Sequence, residues 1–234
     1  SDITASDWTM CAIATTKGGL PVNKQLVCWG KTDVMPFVNP PNKPNISLPY
    51  AFTDNRLTGN RPAGTSAAGN LGILNLSLSS SHGCWVKENV GLQCWSRYNI
   101  NGSFTNSLLN GPTTIDNTIR TTTELASDSL GSCWIKPGAP NQLKCFGDKY
   151  NGISGANQQS LIPVNVQFTN FADSAQINPL RISAFGGKRC FVAAPIGNRV
   201  NVGGCWGYND GSLILQGNEL NIPDPGEILL PSQD

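Results

Sequence analysis

Eight cysteines constrain this chain of 234 residues more than any other feature. They fall into four close pairs: Cys11/Cys28, Cys84/Cys94, Cys133/Cys145 and Cys190/Cys205. No pair has the C-x2-C spacing of a zinc site, and the single histidine, His82, cannot complete a Cys/His ligand set, so no metal and no cofactor is expected. Paired thiols at these spacings read as disulfides, which places the chain in an oxidising compartment.

The sequence around each pair repeats. Eight residues before the first cysteine stand Ile3, Leu76, Leu125 and Ile182, all aliphatic. The small residues Thr4, Ser77, Ala126 and Ser183 follow them. Two residues after that cysteine come Ile13, Val86, Ile135 and Val192, all β-branched. Directly after the second cysteine stand Trp29, Trp95, Phe146 and Trp206, then Gly30, Ser96, Gly147 and Gly207. Agreement in several columns over four copies is a repeat signal and takes precedence over any local motif.

Each copy reads as strands. The period of two turns Cys84 and Val86 to one face and Trp85 to the other. Between the cysteines lie Gly18-Gly19, Asn89-Val90-Gly91, Pro137-Gly138-Ala139-Pro140-Asn141 and Gly197-Asn198, all turn formers. The midpoint of every cysteine pair falls inside its turn cluster. Each pair therefore brackets a hairpin and sits on directly opposed residues, whose Cα atoms lie about 4.5–5.5 Å apart, within reach of a disulfide. One cross-strand disulfide per repeat is expected: Cys11–Cys28, Cys84–Cys94, Cys133–Cys145 and Cys190–Cys205.

The second cysteine of one copy is 56, 39 and 45 residues from the first of the next. The ten residues before Cys11 and the 29 after Cys205 would together make one more connector of that size. At about 58 residues per copy, each repeat can supply a four-stranded blade, and radial repetition of such sheets is the β-propeller architecture. The expected fold is all-β: a single β-propeller domain over 1–234, with blade cores near 1–34, 74–104, 123–155 and 180–212. Residues 213–234 are expected to close toward the N-terminal strand through Ile228-Leu229-Leu230. The alternative is an arc of four blades completed by another chain or by further sequence. An open arc exposes an apolar blade face at each end, which demands a cap or partner. The Pro/Asn-rich stretch from Met35 to Pro62 reads as an irregular surface connector.

Composition agrees. Charged residues make up 13%, about half the usual ~25%, and there are 25 Gly, 16 Pro and 25 Asn. A net charge of +1 argues against nucleic acid, whose binders need a basic surplus. No apolar run reaches the about 18 residues that would span a membrane as a helix. The start at Ser1-Asp2, with no Met and no apolar leader, reads as a processed or trimmed product.

Copies such as Leu76–Ser96 and Ile182–Gly207 resemble the repeat of the regulator of chromosome condensation family. That repeat has an aliphatic strand, a small-residue turn often followed by a His, a hydrophobic strand, a Gly turn, and then Trp-Gly-x-Asn and a Gly. Trp206-Gly207-Tyr208-Asn209-Asp210-Gly211 matches this ending best. Phe146-Gly147-Asp148 to Asn151-Gly152 matches with an insertion, Ser96 replaces the Gly in the second copy, and Trp29-Gly30 lacks the Asn-x-x-Gly tail. The paired cysteines are more similar to an extracellular branch, such as the crinkly-type receptor ectodomains. The resemblance implies a propeller, usually of seven blades, where this chain has four repeats. The nuclear exchange-factor role of the founding member is not carried over.

Candidate functional residues are few. His82 shares its column with Thr9, Gly131 and Lys188, so no repeated chemistry is asked of it. Asp128, Asp148, Asp173, Glu88 and Glu124 stand in no recognisable acid–base motif, and no enzyme is expected. Tyr98-Asn99, Tyr150-Asn151 and Tyr208-Asn209 recur just after the second cysteine of three copies, as a rim of aromatic and amide groups suited to a protein or a sugar. Asn45, Asn75 and Asn101 are acceptor sequons for N-glycosylation. Asn45 is the best placed of these, in a loop, while Asn75 abuts a strand. The expected protein is a secreted or cell-surface recognition module, non-catalytic, that binds another extracellular protein through propeller loops. A carbohydrate-binding, lectin-like propeller and a structural subunit of an extracellular assembly or filament, with possible self-assembly, are the alternatives.

Overall fold

The computed structural model describes residues 3–15, 24–31, 45–51, 72–96, 113–119, 121, 123–147, 160–172, 174–195, 202–208 and 221–227. These residues form sixteen β-strands in four antiparallel four-stranded meanders, each strand pairing with the next in sequence. The fold is all-β, and each meander is a propeller blade. Blade 1 comprises β1 (Ile3–Ala5), β2 (Thr9–Thr15), β3 (Lys24–Lys31) and β4 (Asn45–Ala51). Blade 2 comprises β5 (Ile73–Leu78), β6 (His82–Lys87), β7 (Gly91–Ser96) and β8 (Thr113–Asp116). Blade 3 comprises β9 (Leu125–Asp128), β10 (Gly131–Lys136), β11 (Gln142–Gly147) and β12 (Ser160–Asn165). Blade 4 comprises β13 (Pro179–Phe185), β14 (Lys188–Ala193), β15 (Val202–Tyr208) and β16 (Asn221–Glu227). The chain divides into two compact units, Ser1–Thr122 with blades 1 and 2, and Thr123–Asp234 with blades 3 and 4.

All four expected disulfides are present, and every bonded pair is in direct register between the second and third strands of its blade. The Cα atoms stand 4.1 Å apart in each. That is close to the spacing of a directly opposed pair that exchanges no ladder hydrogen bonds. Among the described residues no cysteine is free.

Register gives each blade two unlike faces. One carries the cystine and the β-branched column and is here called the Cys face; the other carries the aromatic columns and is the Trp face. In the first unit one core joins Cys11, Ile13, Leu26 and Cys28 of blade 1 to Leu76, Leu78, Trp85 and Trp95 of blade 2. In the second unit Cys133, Ile135, Leu143 and Cys145 of blade 3 share a core with Ile182, Phe191 and Trp206 of blade 4. In both units the Cys face of one blade packs on the Trp face of the next.

The fourth strands correct the sequence reading of the connectors. The stretch from Met35 to Pro62 contains β4, and Asn45, expected in a loop, is the first residue of that strand, paired with Lys31. β8, β12 and β16 likewise lie beyond the blade cores drawn from the repeat. The reason is chemical. β4, β12 and β16 contain Pro49, Pro163, and Pro223 with Pro225, respectively. Proline lacks the N–H that a central strand donates, but an edge strand tolerates it, and these strands are the outer members of their sheets. Ile228, Leu229 and Leu230 lie outside the described residues.

Candidate interaction surface

The turn between the first and second strands of each blade is a rigid platform built in two ways. In blades 1 to 3 a polar side chain five residues before the first cysteine caps it. Ser6 donates its backbone N–H and its hydroxyl to the Thr9 carbonyl (2.8 and 3.3 Å). Ser79 Oγ receives the His82 N–H at 3.1 Å and faces the His82 carbonyl at 3.0 Å. Asp128 Oδ1 accepts the N–H groups of Leu130 and Gly131 at 2.7 and 2.9 Å. Blade 4 has Phe185 at this position and turns instead through Gly186 and Gly187, whose φ values are +57° and +79°. Glycine adopts that left-handed backbone without the steric penalty a side chain brings.

The Gly that follows Trp or Phe after the second cysteine clamps this turn from the far side. Gly30, Gly147 and Gly207 have φ of +106°, +137° and +114°. A Cβ there would lie 2.2, 2.2 and 2.1 Å from the carbonyl oxygens of Trp8, Leu130 and Gly187, respectively. The close approach lets Lys31 N–H donate to Trp8 O at 2.8 Å and Tyr208 N–H to Gly187 O at 3.0 Å.

Trp8 is therefore held by its backbone on both sides while its side chain is left outside. The residue is 74% exposed. Its counterparts three residues before the first cysteine are Ser81, Leu130 and Gly187, so the turn itself needs no aromatic there. The expectation of a functional rim did not single out Trp8, because it lies before the first cysteine rather than after the second. The signal was one odd column entry among four.

Of the Tyr-Asn residues, Tyr208 alone is described; Tyr98, Asn99, Tyr150, Asn151 and Asn209 lie outside the described residues. Tyr208 is exposed, and Lys188 Nζ lies 5.9 Å from the centroid of its ring. It is the last residue of β15 and stands next to the Gly186-Gly187 turn, so the second unit also presents an aromatic group beside a fixed turn. Asn75, inside β5, is half-buried, and its Oδ1 accepts the Leu76 N–H at 2.6 Å. Asn101 lies outside the described residues.

The titratable candidates are engaged structurally. His82 is buried, with Nδ1 3.0 Å from both Ser79 Oγ and Ser81 Oγ. Asp128 is buried against Arg189. Glu124 pairs with Arg181 on the surface. Glu88 is exposed beside its hairpin turn, and Asp148 and Asp173 lie outside the described residues. Among the described residues no group of three His, Cys, Asp or Glu side chains gathers to hold a metal ion.

The chain matches no protein-family model and no curated protein. Among solved structures it is similar to human WBSCR16, with a TM-score of 0.69 and 15% identity over 98% of this chain and 54% of that one. It is also similar to Prp20p from Saccharomyces cerevisiae, a protein described for its binding to Gsp1p and histones: TM-score 0.64, 10% identity, 99% of this chain and 50% of that one. Yeast RCC1 (Prp20) bound to Kap60 gives a TM-score of 0.63 and 12% identity over 98% of this chain and 48% of that one. The fold is thus that of the RCC1-type β-propeller, and the chain spans about half the length of the solved proteins it resembles.

Proposed function

We propose that this protein is a protein-interaction module, with a partner engaged by aromatic side chains on or beside the first turns of its blades. The observation that carries the reading is Trp8, an indole left 74% in solvent on a turn whose backbone is fixed by Ser6, Thr9, Gly30 and Lys31. Tryptophan on a preorganised backbone contributes large contact area at small entropic cost, which is the character of interface hot spots. One solved protein of like fold, yeast Prp20, is described both for its binding to Gsp1p and histones and in a complex with Kap60. That supports protein binding as a use of the fold, although a fold alone does not assign a partner. Four disulfides support work in an oxidising compartment, secreted or at the cell surface. A net charge of +1 supports a partner other than nucleic acid.

The test compares the disulfide-intact chain with Trp8→Ala and Tyr208→Ala in quantitative affinity capture from extracellular fluid and on a glycan array. A protein retained by the parent chain and lost from either variant supports the reading. Glycan binding that depends on Tyr208 would replace it with the lectin reading. Capture that neither variant alters would refute it.

A further inference from the structure

Strand register brings out one further column of the repeat. Tyr50, Thr113, Val164 and Gly226 stand opposite the second cysteine of their blades. The residue before each of them is Pro49, Pro112, Pro163 or Pro225. These prolines follow the second cysteine by 21, 18, 18 and 20 residues, so cysteine spacing alone does not align them. The chain has 16 prolines in 234 residues, too few for four in one register position to be an effect of composition. Pro112 lies outside the described residues; the other three lie within β4, β12 and β16.

The position has a definite geometry. Each cystine joins a pair that exchanges no ladder bonds between the second and third strands, so the N–H and C=O of the second cysteine point toward the outer strand. Tyr50, Val164 and Gly226 face them with their own backbone groups turned inward. One residue earlier the backbone groups of an extended strand turn to the other side. The N–H that proline lacks is therefore the one that would face away from the blade. Among the described residues no strand pairs there. The same place is bulged. Two steps along the third strand, from Cys28 to Gly30, match four along the outer strand, from Tyr50 to Ile46. Cys145 to Gly147 against Val164 to Ser160, and Cys205 to Gly207 against Gly226 to Ile222, repeat the offset.

An edge proline and a bulge are two devices that keep a sheet from pairing with another chain; charge is a third. β4 (NISLPYA) and β12 (SLIPVN) contain no charged residue. In β12 the proline interrupts Leu161, Ile162 and Val164, which without it would be a short uncharged segment of strong β-formers. We propose that the proline column is an edge guard, which closes the outer edge of each blade to strand addition by a second copy of the chain. Without it the outer strands of two copies would pair edge to edge and join two blades into one sheet. The guard acts at the outer edges and does not involve Trp8 or Tyr208.

The experiment is sedimentation velocity on the full, disulfide-intact chain over a range of concentrations. Pro163→Val restores the N–H at the edge of blade 3 with a β-branched side chain. Its sedimenting mass should rise with concentration, doubling or more relative to the parent. The amide hydrogen created at position 163 should become protected from exchange as it does. Pro163→Lys restores the same N–H but adds a charge, which edges use against pairing, and should sediment as the parent does. Both variants should keep the parent's circular dichroism. Should Pro163→Val not fold, Pro49→Val gives the same reading on blade 1. A folded valine variant that associates no more than the parent would overturn the proposal. Equal association of the lysine variant would overturn it too, since loss of the proline would then expose apolar surface rather than an edge. Loss of fold in both valine variants would do the same, because the proline would then serve the blade and not its edge.

Discussion

Arg189 and Asp128 form a fully buried, two-pronged ion pair across the junction of blades 3 and 4, with Nε–Oδ2 at 2.8 Å and Nη2–Oδ1 at 3.1 Å. The carboxylate has a second task, since Oδ1 also caps the turn through the N–H groups of Leu130 and Gly131. A single side chain therefore fixes a turn within blade 3 and binds blade 3 to blade 4. Removing one partner of a buried pair leaves an uncompensated charge, at a cost of about 3–5 kcal/mol. Arg189→Met is expected to destabilise the chain by that order in urea unfolding. Combining it with Asp128→Ser, the residue type that caps the turns of blades 1 and 2, should recover part of the loss. A strictly additive double variant would show that the two residues are not energetically coupled.

Trp85 and Trp134 occupy the same column, yet only one has its ring N–H satisfied by the strand opposite. Trp85 Nε1 donates to Gln93 Oε1 at 3.0 Å, whereas the buried Trp134 Nε1 has no hydrogen-bond partner. The residue paired with Trp134 in register is Lys144, as Gln93 is paired with Trp85. Lys144→Gln should supply the missing acceptor and stabilise the chain by about 1 kcal/mol, the usual net value of one such bond. A raised midpoint of chemical unfolding with an unchanged slope is the expected signature. No rise in midpoint would show that the amide does not reach the indole.

Gly147 and Gly207 hold backbone conformations that a side chain resists, and each touches a turn carbonyl at the point where a Cβ would stand. The left-handed backbone alone costs a non-glycine residue about 1–2 kcal/mol, and the clash adds to it. Gly147→Ala should lower the thermal midpoint clearly. Ser96 holds the same column in blade 2, where the register shift falls between Leu92 and Gln93 instead of beside the last residues of the strand. Ser96→Ala should therefore change the midpoint little by comparison.

The disulfides close loops of similar length, with separations of 17, 10, 12 and 15 residues. In the chain-entropy account each contributes about 2–4 kcal/mol, and the separations of 17 and 10 differ by only about 0.5 kcal/mol. Replacing Cys11 and Cys28 by alanine should thus cost nearly as much as replacing Cys84 and Cys94. Calorimetry on the two double variants tests this. A difference of several kcal/mol would mean that local packing, not loop closure, sets the contribution.

Much of the blade was legible in the chain because its signals are local. Cysteine spacing, turn residues at the hairpin midpoints and alternation about Cys84-Trp85-Val86 fixed three strands of each blade and all four cystines. A fourth strand per blade was expected but not located, and in blades 1, 3 and 4 the reason is that Pro49, Pro163, Pro223 and Pro225 look like breakers until the strand is known to lie at an edge. Trp8 escaped notice because exposure is not written in a column of otherwise small or aliphatic residues.

The sequence by itself determined the hairpins and the pairing of the cysteines, since each closes within one short stretch of chain, with separations of 17, 10, 12 and 15 residues, and it determined the repeat because four such stretches can be compared column by column. Tertiary structure alone decided which face of one blade meets which face of the next. That choice rests on residues far apart in the chain, such as the pair Asp128 and Arg189, or Ile13 and Leu76 in one shared core. A strand's alternation says that it has two faces but not what will cover them. The cover is set by shape and charge matched across a junction, as in the core that joins Ile135 to Ile182.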